Sequence, residues 1–432
     1  MQFNPKNLID KNPMSRLQYA TILVCFVMNM LDGMDVLVIS YTAPAIAKTW
    51  EVGPEALGIV FSMGLFGMTF GALLLAPYAD KIGRRNMIFI SALLMGVSIY
   101  VTSFAGSVTE LMIYRLISGL GIGSMLASTA ALTAEYTPNK TRDFWVSAVI
   151  AGYPVGAVLS GLVAAEIVPE YGWQTMYEIA GIATFITLPL IYFSLSESLD
   201  FYLRRHPANA LEKANEILLK IGGEQLTELP EQAEKQASIP VNSLLHSKYR
   251  LSTIQLWVAL FMAFATLYFL TSWIPKLAES TGLSLELAIY AGTIFNVGAV
   301  FGIFLQGYFS SKFGLKKTIG VFFIVTAVLM VVFQFFIGSD VLLLVFGLLG
   351  FGVQGGFVGL YAVAARMYPT EFRTTGVGWA IGAGRLGGII SPAVGGLLIG
   401  MGLSMSTNFL IYAIPTVLAG VMTMRIFSKD VS

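Results

Sequence analysis

Apolar residues run along this chain in blocks of about nineteen or more, the length a helix needs to cross a bilayer, and short polar stretches between the blocks collect nearly all the charge. The pattern predicts twelve membrane helices, at roughly 17–46, 56–79, 86–105, 110–134, 143–167, 173–195, 251–278, 284–311, 318–337, 341–365, 374–401 and 405–427. With no water in hydrocarbon to satisfy backbone groups, helices joined by short turns are the architecture such a pattern allows. One long polar stretch, residues 196–250, separates a first set of six (1–195) from a second (251–432). Within it Leu211, Ala214, Ile217, Leu218 and Ile221 recur at helical spacing, so an amphipathic linker helix is expected against one membrane face.

Composition narrows the class. The chain has 432 residues, 56% of them hydrophobic and 12% charged, too little charge for a soluble domain of this size. A net charge of +1 excludes nucleic acid as a partner, because nothing is available to neutralise phosphates. Cys25 is the single cysteine and cannot form an internal disulfide, the two histidines (His206 and His246) fall in the linker, and no metal-ligand set or phosphate-cradling Gly-x-x-x-x-Gly-Lys sequence is present. Of 26 Lys and Arg, 22 fall in the segments that share a face with both termini, while the opposite loops hold only Lys48 and Lys276. That bias predicts cytoplasmic termini in a multi-pass inner (plasma) membrane protein. The first sixteen residues are polar and lack a signal-peptide core, so the first span is expected to remain in the mature protein.

The two halves repeat each other at an offset of 231: Gly71 matches Gly302, Lys81 Lys312, Gly83 Gly314, Gly119 Gly350, Pro138 Pro369, Arg142 Arg373 and Gly156 Gly387. Duplicated halves put a working site between them, near the midplane.

Leu31-Asp32-Gly33-Met34-Asp35 sets two acids inside the first apolar block. Each carboxylate there costs about 2.5–3.5 kcal/mol on insertion scales, and ionisable groups at this depth usually mark ion or substrate pathways. Spaced three apart, Asp32 and Asp35 share a helix face and are candidates for proton coupling, against the alternative of a buried structural pair. Arg385 lies near the middle of the eleventh span, where a planar guanidinium suits a carboxylate ligand; a permanent internal salt bridge is the other reading. If substrate and Asp compete for that arginine, protonating the Asp frees it for the anion, which is the coupling symport requires. Arg115, nearer one end of the fourth span, either pairs with Asp35 or snorkels to the interface. Further cavity candidates are Asn29, Tyr41, Tyr153, Tyr268, Trp273, Asn296, Gln354, Tyr361 and Trp379. Glycines crowd the fifth and eleventh spans, permitting close helix contact.

The loop Asp80-Lys-Ile-Gly-Arg-Arg85, with the six-plus-six duplication, resembles the signature of the major facilitator superfamily, departing at Ala76 where that family carries Gly. In the second half Gly307, Lys312 and Gly314 are kept and Ser311 stands in the place of Asp. The Asp-Gly-Met-Asp of the first span, Tyr41-Thr-Ala-Pro44-Ala and Gly382-Ala-Gly-Arg385-Leu-Gly-Gly are similar to motifs of the aromatic acid:proton symporter family within it. The resemblance implies an all-α fold of two pseudo-symmetric six-helix bundles, complete as a monomer, and a secondary transporter rather than an enzyme. It further implies a gate made by Asp80, Arg84, Arg85, Arg115, Glu135 and Arg142, with Glu135, Asp80 and Arg142 forming a charge cluster on the inner face. The expected function is import of an organic carboxylate, foremost a benzoate-, hydroxybenzoate- or nicotinate-like acid, by proton symport, with protons as coupling ion and no other cofactor. A proton-coupled multidrug efflux antiporter and a carrier of a non-aromatic acid such as muconate are the alternatives.

Overall fold

A computed structural model describes residues 5–230, 244–245, 250–368 and 370–426, with side chains other than those of 5–7, 143 and 370–374. Pro369, the Arg373 side chain, His246 and most of the second part of the linker therefore lie outside the described residues. Among those described there is no strand, and twelve helices are long and apolar enough to cross a membrane. They are Arg16–Trp50, Pro54–Ile82, Arg84–Thr102, Val108–Tyr136, Phe144–Tyr171 and Trp173–Ser194, then Arg250–Ser280, Leu285–Phe313, Leu315–Phe336, Leu342–Met367, Thr375–Gly400 and Met405–Arg425, called spans one to twelve below.

Local chemistry sets the ends. Span one begins at a capping box in which the Ser15 hydroxyl accepts from Gln18 N and the Gln18 side chain accepts from Ser15 N, and it stops where Glu51 turns left-handed. The linker carries two short helices, Leu199–Arg205 and Ala210–Lys220. The second is the expected amphipathic helix, but its apolar side (Ala210, Ala214, Ile217, Leu218) is buried in protein. Helix Pro5–Lys11 closes over this region, and Asn12 Nδ2 donates to Gly222 O at 3.0 Å. We call the side bearing these segments the linker face and the opposite side the far face.

Spans one to six and seven to twelve form two bundles. In the first, spans one and five touch backbone to backbone: a Cβ on Gly33 would lie 1.9 Å from Tyr153 O, and one on Gly156 1.9 Å from Met30 O. Gly33→Ala is expected to lower stability by about 1–3 kcal/mol through overpacking. Gly378→Ala, where a Cβ meets nothing within 4 Å, serves as the matched control. Melting of the detergent-purified proteins checks this, and equal melting temperatures for the two variants would refute the close-contact account.

The bundles meet along a seam in the far-face half. Gly58 faces Pro392 O and Gly396 faces Pro54 O, each close enough that a Cβ would clash. Phe61 meets Trp273 edge-on with ring centroids 5.1 Å apart. Pro275 inside span seven has no N–H for the carbonyl four residues back, and Ser40 of span one supplies the donor instead, its hydroxyl bonding Thr271 O at 2.7 Å and Ser272 O at 2.9 Å.

The pseudo-symmetry breaks in span two. Its helix passes through a π turn at Gly71–Leu75 and a 3-10 turn at Ala76–Tyr78, while its mate, span eight, is continuous. Gly71 packs against Leu120 O, so the wider turn lies against span four. Such turns are frequent at functional sites.

Candidate functional site

Asp35 is fully buried, and two groups on span four hold it: the Arg115 guanidinium donates to one carboxylate oxygen at 2.5 Å, and the Ser118 hydroxyl to the other. The Arg115 side chain is only 4% exposed, so pairing with Asp35, not snorkelling, is its arrangement here. Gly64 of span two makes room, since a Cβ there would touch the guanidinium at 3.4 Å.

Asp32 is as buried, at 1% exposure, yet neither of its oxygens has a hydrogen-bond partner among the described residues. The i, i+3 spacing thus gives the two acids one helix face but different company. Tyr153, whose own carbonyl abuts Gly33, lies within electrostatic reach of Asp32, Arg115 and Tyr268.

Arg385 forms no ion pair among the described residues, so the permanent internal salt bridge is absent in this state. It lines a narrow pocket with Leu65, Met68, Thr69, Phe264, Tyr268 and Gly388, and it lies within electrostatic reach of Tyr361. A second narrow pocket includes Arg115, Phe61, Gly64, Thr271 and Ser272 among its walls. Leu65, Met68 and Tyr268 border both. Sharing these walls, the two pockets make a narrow cleft between the bundles, with apolar and aromatic sides and one guanidinium bordering each part. Arg115 is neutralised there by Asp35, and Arg385 has no ion pair among the described residues.

Other predicted cavity residues do different work. Tyr41 and Asn296 belong to the seam: the Tyr41 hydroxyl donates to Ala157 O at 2.9 Å and accepts from Asn296 Nδ2 at 3.4 Å. Asn29 is turned into the first bundle, donating to Cys25 O and to the Thr129 hydroxyl. Gln354 is buried on span ten and lines neither cavity. Trp273, fully buried, donates to Pro392 O and braces span seven on span eleven. The expectation for Trp379 needs correcting. Six residues before Arg385, it points about 120° away around the helix. It is 50% exposed, shares a stripe with the exposed Leu386, Ile390 and Leu397, and stacks on Trp257, all marks of a lipid-facing ring.

The expected inner cluster of Glu135, Asp80 and Arg142 is also rearranged. Glu135 pairs with Arg84 at 2.7 Å and accepts from the Ser198 hydroxyl. Arg142 follows the turn after span four and bonds instead to Asn139, which in turn holds Asp10. The Asp80 side chain is exposed, and its backbone carbonyl accepts from Arg205. Arg85 reaches Tyr192 O and lies over that ring. Sequence reasoning missed Glu197. It is buried, accepts from Arg85 N at 3.0 Å and Ser198 N at 2.8 Å, and so sits at the positive N-terminus of span three. An acid directly after an apolar span, in Leu195-Ser-Glu-Ser198, was the available signal.

Comparison with known proteins gives consistent matches. The sequence pattern of the Major Facilitator Superfamily fits residues 25–305 and 256–432. The chain is similar to the 4-hydroxybenzoate transporter PcaK of Pseudomonas aeruginosa, 31% identical over 95% of this chain and 93% of that one. It is 30% identical to a gallate transporter of Pseudomonas putida, covering 95% and 92%. Among solved structures, a D-xylose-proton symporter superposes with a TM-score of 0.75 at 20% identity, over 95% of this chain and 98% of that one, a likeness of fold.

Proposed function

Since the chain belongs to the major facilitator superfamily, we propose that it is a transporter that imports an aromatic carboxylate by proton symport, alternating its cleft between the two sides of the membrane. The observation that carries the reading is Arg385, without an ion pair among the described residues, in an aromatic-walled cleft whose other guanidinium, Arg115, is neutralised; on span one the buried Asp32 has no hydrogen-bond partner among the described residues. As the pocket widens, an aromatic ring would enter between Tyr268 and Phe264 on one side and Leu65 and Met68 on the other, its carboxylate meeting the guanidinium. The proton goes to Asp32. Protonation removes a buried negative charge as the anion arrives, so each ligand favours the other. The names of the relatives, carriers of 4-hydroxybenzoate and gallate, support the substrate class.

In this reading the linker face is cytoplasmic, in agreement with the Lys and Arg bias, and the sealed far face makes the state inward-facing. The protein works as a monomer in the inner membrane, with both termini in the cytoplasm and protons as the only coupling ion.

The test is thermal stabilisation of the purified protein by a panel of aromatic carboxylates at acid and neutral pH, beside Arg385→Ala. An acid that stabilises the wild type, more strongly at acid pH, should lose about 2–5 kcal/mol of binding in the variant, at least a thirtyfold weakening. Equal binding by the variant would remove Arg385 from the anion site. Proteoliposomes separate import from efflux, because an inward-directed proton gradient should accumulate substrate in the first case alone.

A further inference from the structure

On the carboxylate reading above, the walls of the cleft differ along its length. Near Arg385 they are Phe264, Tyr268, Leu65 and Met68, which offer a ring stacking and apolar contact. Farther along span seven the wall becomes Thr271 and Ser272, three and four residues past Tyr268. That step is about one helical turn, 5.4 Å, so the two hydroxyl residues lie beyond the tyrosine that borders the Arg385 pocket.

Hydroxyls inside helices commonly turn back on the carbonyl one turn earlier, as Thr266 does to Met262 O. The Thr271 and Ser272 hydroxyls do not: both residues border the cavity, and neither hydroxyl bonds to a described residue. Their backbone carbonyls are already taken by Ser40, which fixes this turn against span one and leaves the side chains as its free polar groups. Arg115 Nε, on span four across the cleft, is also without a partner among the described residues. An apolar cleft that ends in unfilled hydrogen-bonding groups discriminates for a ligand that fills them and against an isostere that does not.

We infer that Thr271 and Ser272 are specificity-determining residues, reading a hydrogen-bonding substituent on the ring opposite the carboxylate held by Arg385. The preferred ligand is an aromatic acid with a hydroxyl-like group at its remote end, and an acid with a methyl there is disfavoured.

Calorimetric binding of benzoate, para-hydroxybenzoate and para-methylbenzoate to the full-length purified protein tests this, using wild type, Arg385→Ala and the double variant Thr271→Val/Ser272→Ala. Valine keeps the shape of threonine, and the backbone carbonyls that Ser40 bonds are untouched. The wild type should prefer the para-hydroxy acid over the para-methyl acid by about tenfold or more. In the double variant that ratio should fall to about one, with benzoate affinity within about threefold of wild type, since a group that reads only the remote substituent contributes about nothing to the unsubstituted acid. A retained preference in the double variant, no preference in the wild type, or a double variant that loses benzoate as well would each overturn the assignment. Loss of all three acids by Arg385→Ala alone shows that the carboxylate site stands when the assignment fails. A wild type that binds none of them overturns both.

Discussion

Asp35→Ala is expected to cost the fold about 3–5 kcal/mol, because it leaves the Arg115 guanidinium buried without its counter-charge. The Arg115 side chain is only 4% exposed, so water replaces little of the lost counter-charge, and Ser118 loses its acceptor in the same step. Arg115→Met is expected to be costly for the converse reason, since it strands a carboxylate at 0% exposure. Removing both charges together, as Asp35→Leu/Arg115→Met, should cost far less than the sum, because desolvation of a buried pair offsets most of its attraction. Thermal unfolding of the three proteins in detergent measures this directly. Additive losses would mean that the two side chains do not act as a pair.

Asp32→Asn should behave in the opposite way, sparing the fold and removing the coupling. Neither oxygen of Asp32 has a partner to lose, and the amide has nearly the same shape. The variant should retain exchange of labelled substrate across proteoliposome membranes. It should fail to accumulate substrate above its external concentration when an inward proton gradient is imposed, because the carboxylate proposed to take up the coupling proton is gone. Uphill accumulation by Asp32→Asn would relocate the proton site.

These two acids also mark how far the sequence could be read. The twelve spans, the duplication and the presence of Asp32, Asp35, Arg115 and Arg385 at membrane depth were legible because lipid penalises any other arrangement of polar groups. Which acid meets which arginine was not, since Asp35 and Arg115 are eighty positions apart and their meeting depends on the packing of spans one and four. Helix faces were equally opaque. In a soluble protein an apolar stripe marks the core, but here lipid and core are both apolar, so Trp379 on the lipid side and Tyr41 in the seam gave the same signal as the cleft-lining Tyr268. The π turn at Gly71–Leu75 has no sequence signature beyond a glycine, and Glu197 looked like one more charge in a polar linker until the start of span three was brought beside it.

Pro275 carries a consequence for the working cycle. Because its ring has no N–H, span seven offers the Thr271 carbonyl to something outside itself, and here Ser40 across the seam answers; on the alternating-access reading that bond breaks when the far face opens. Parting the bundles strands that oxygen until water reaches it, a penalty of about 1–3 kcal/mol that falls on the path and not on either resting state. On that reading a carrier resetting empty has no cargo to offset this, and the proline lengthens the return stroke as a waiting time.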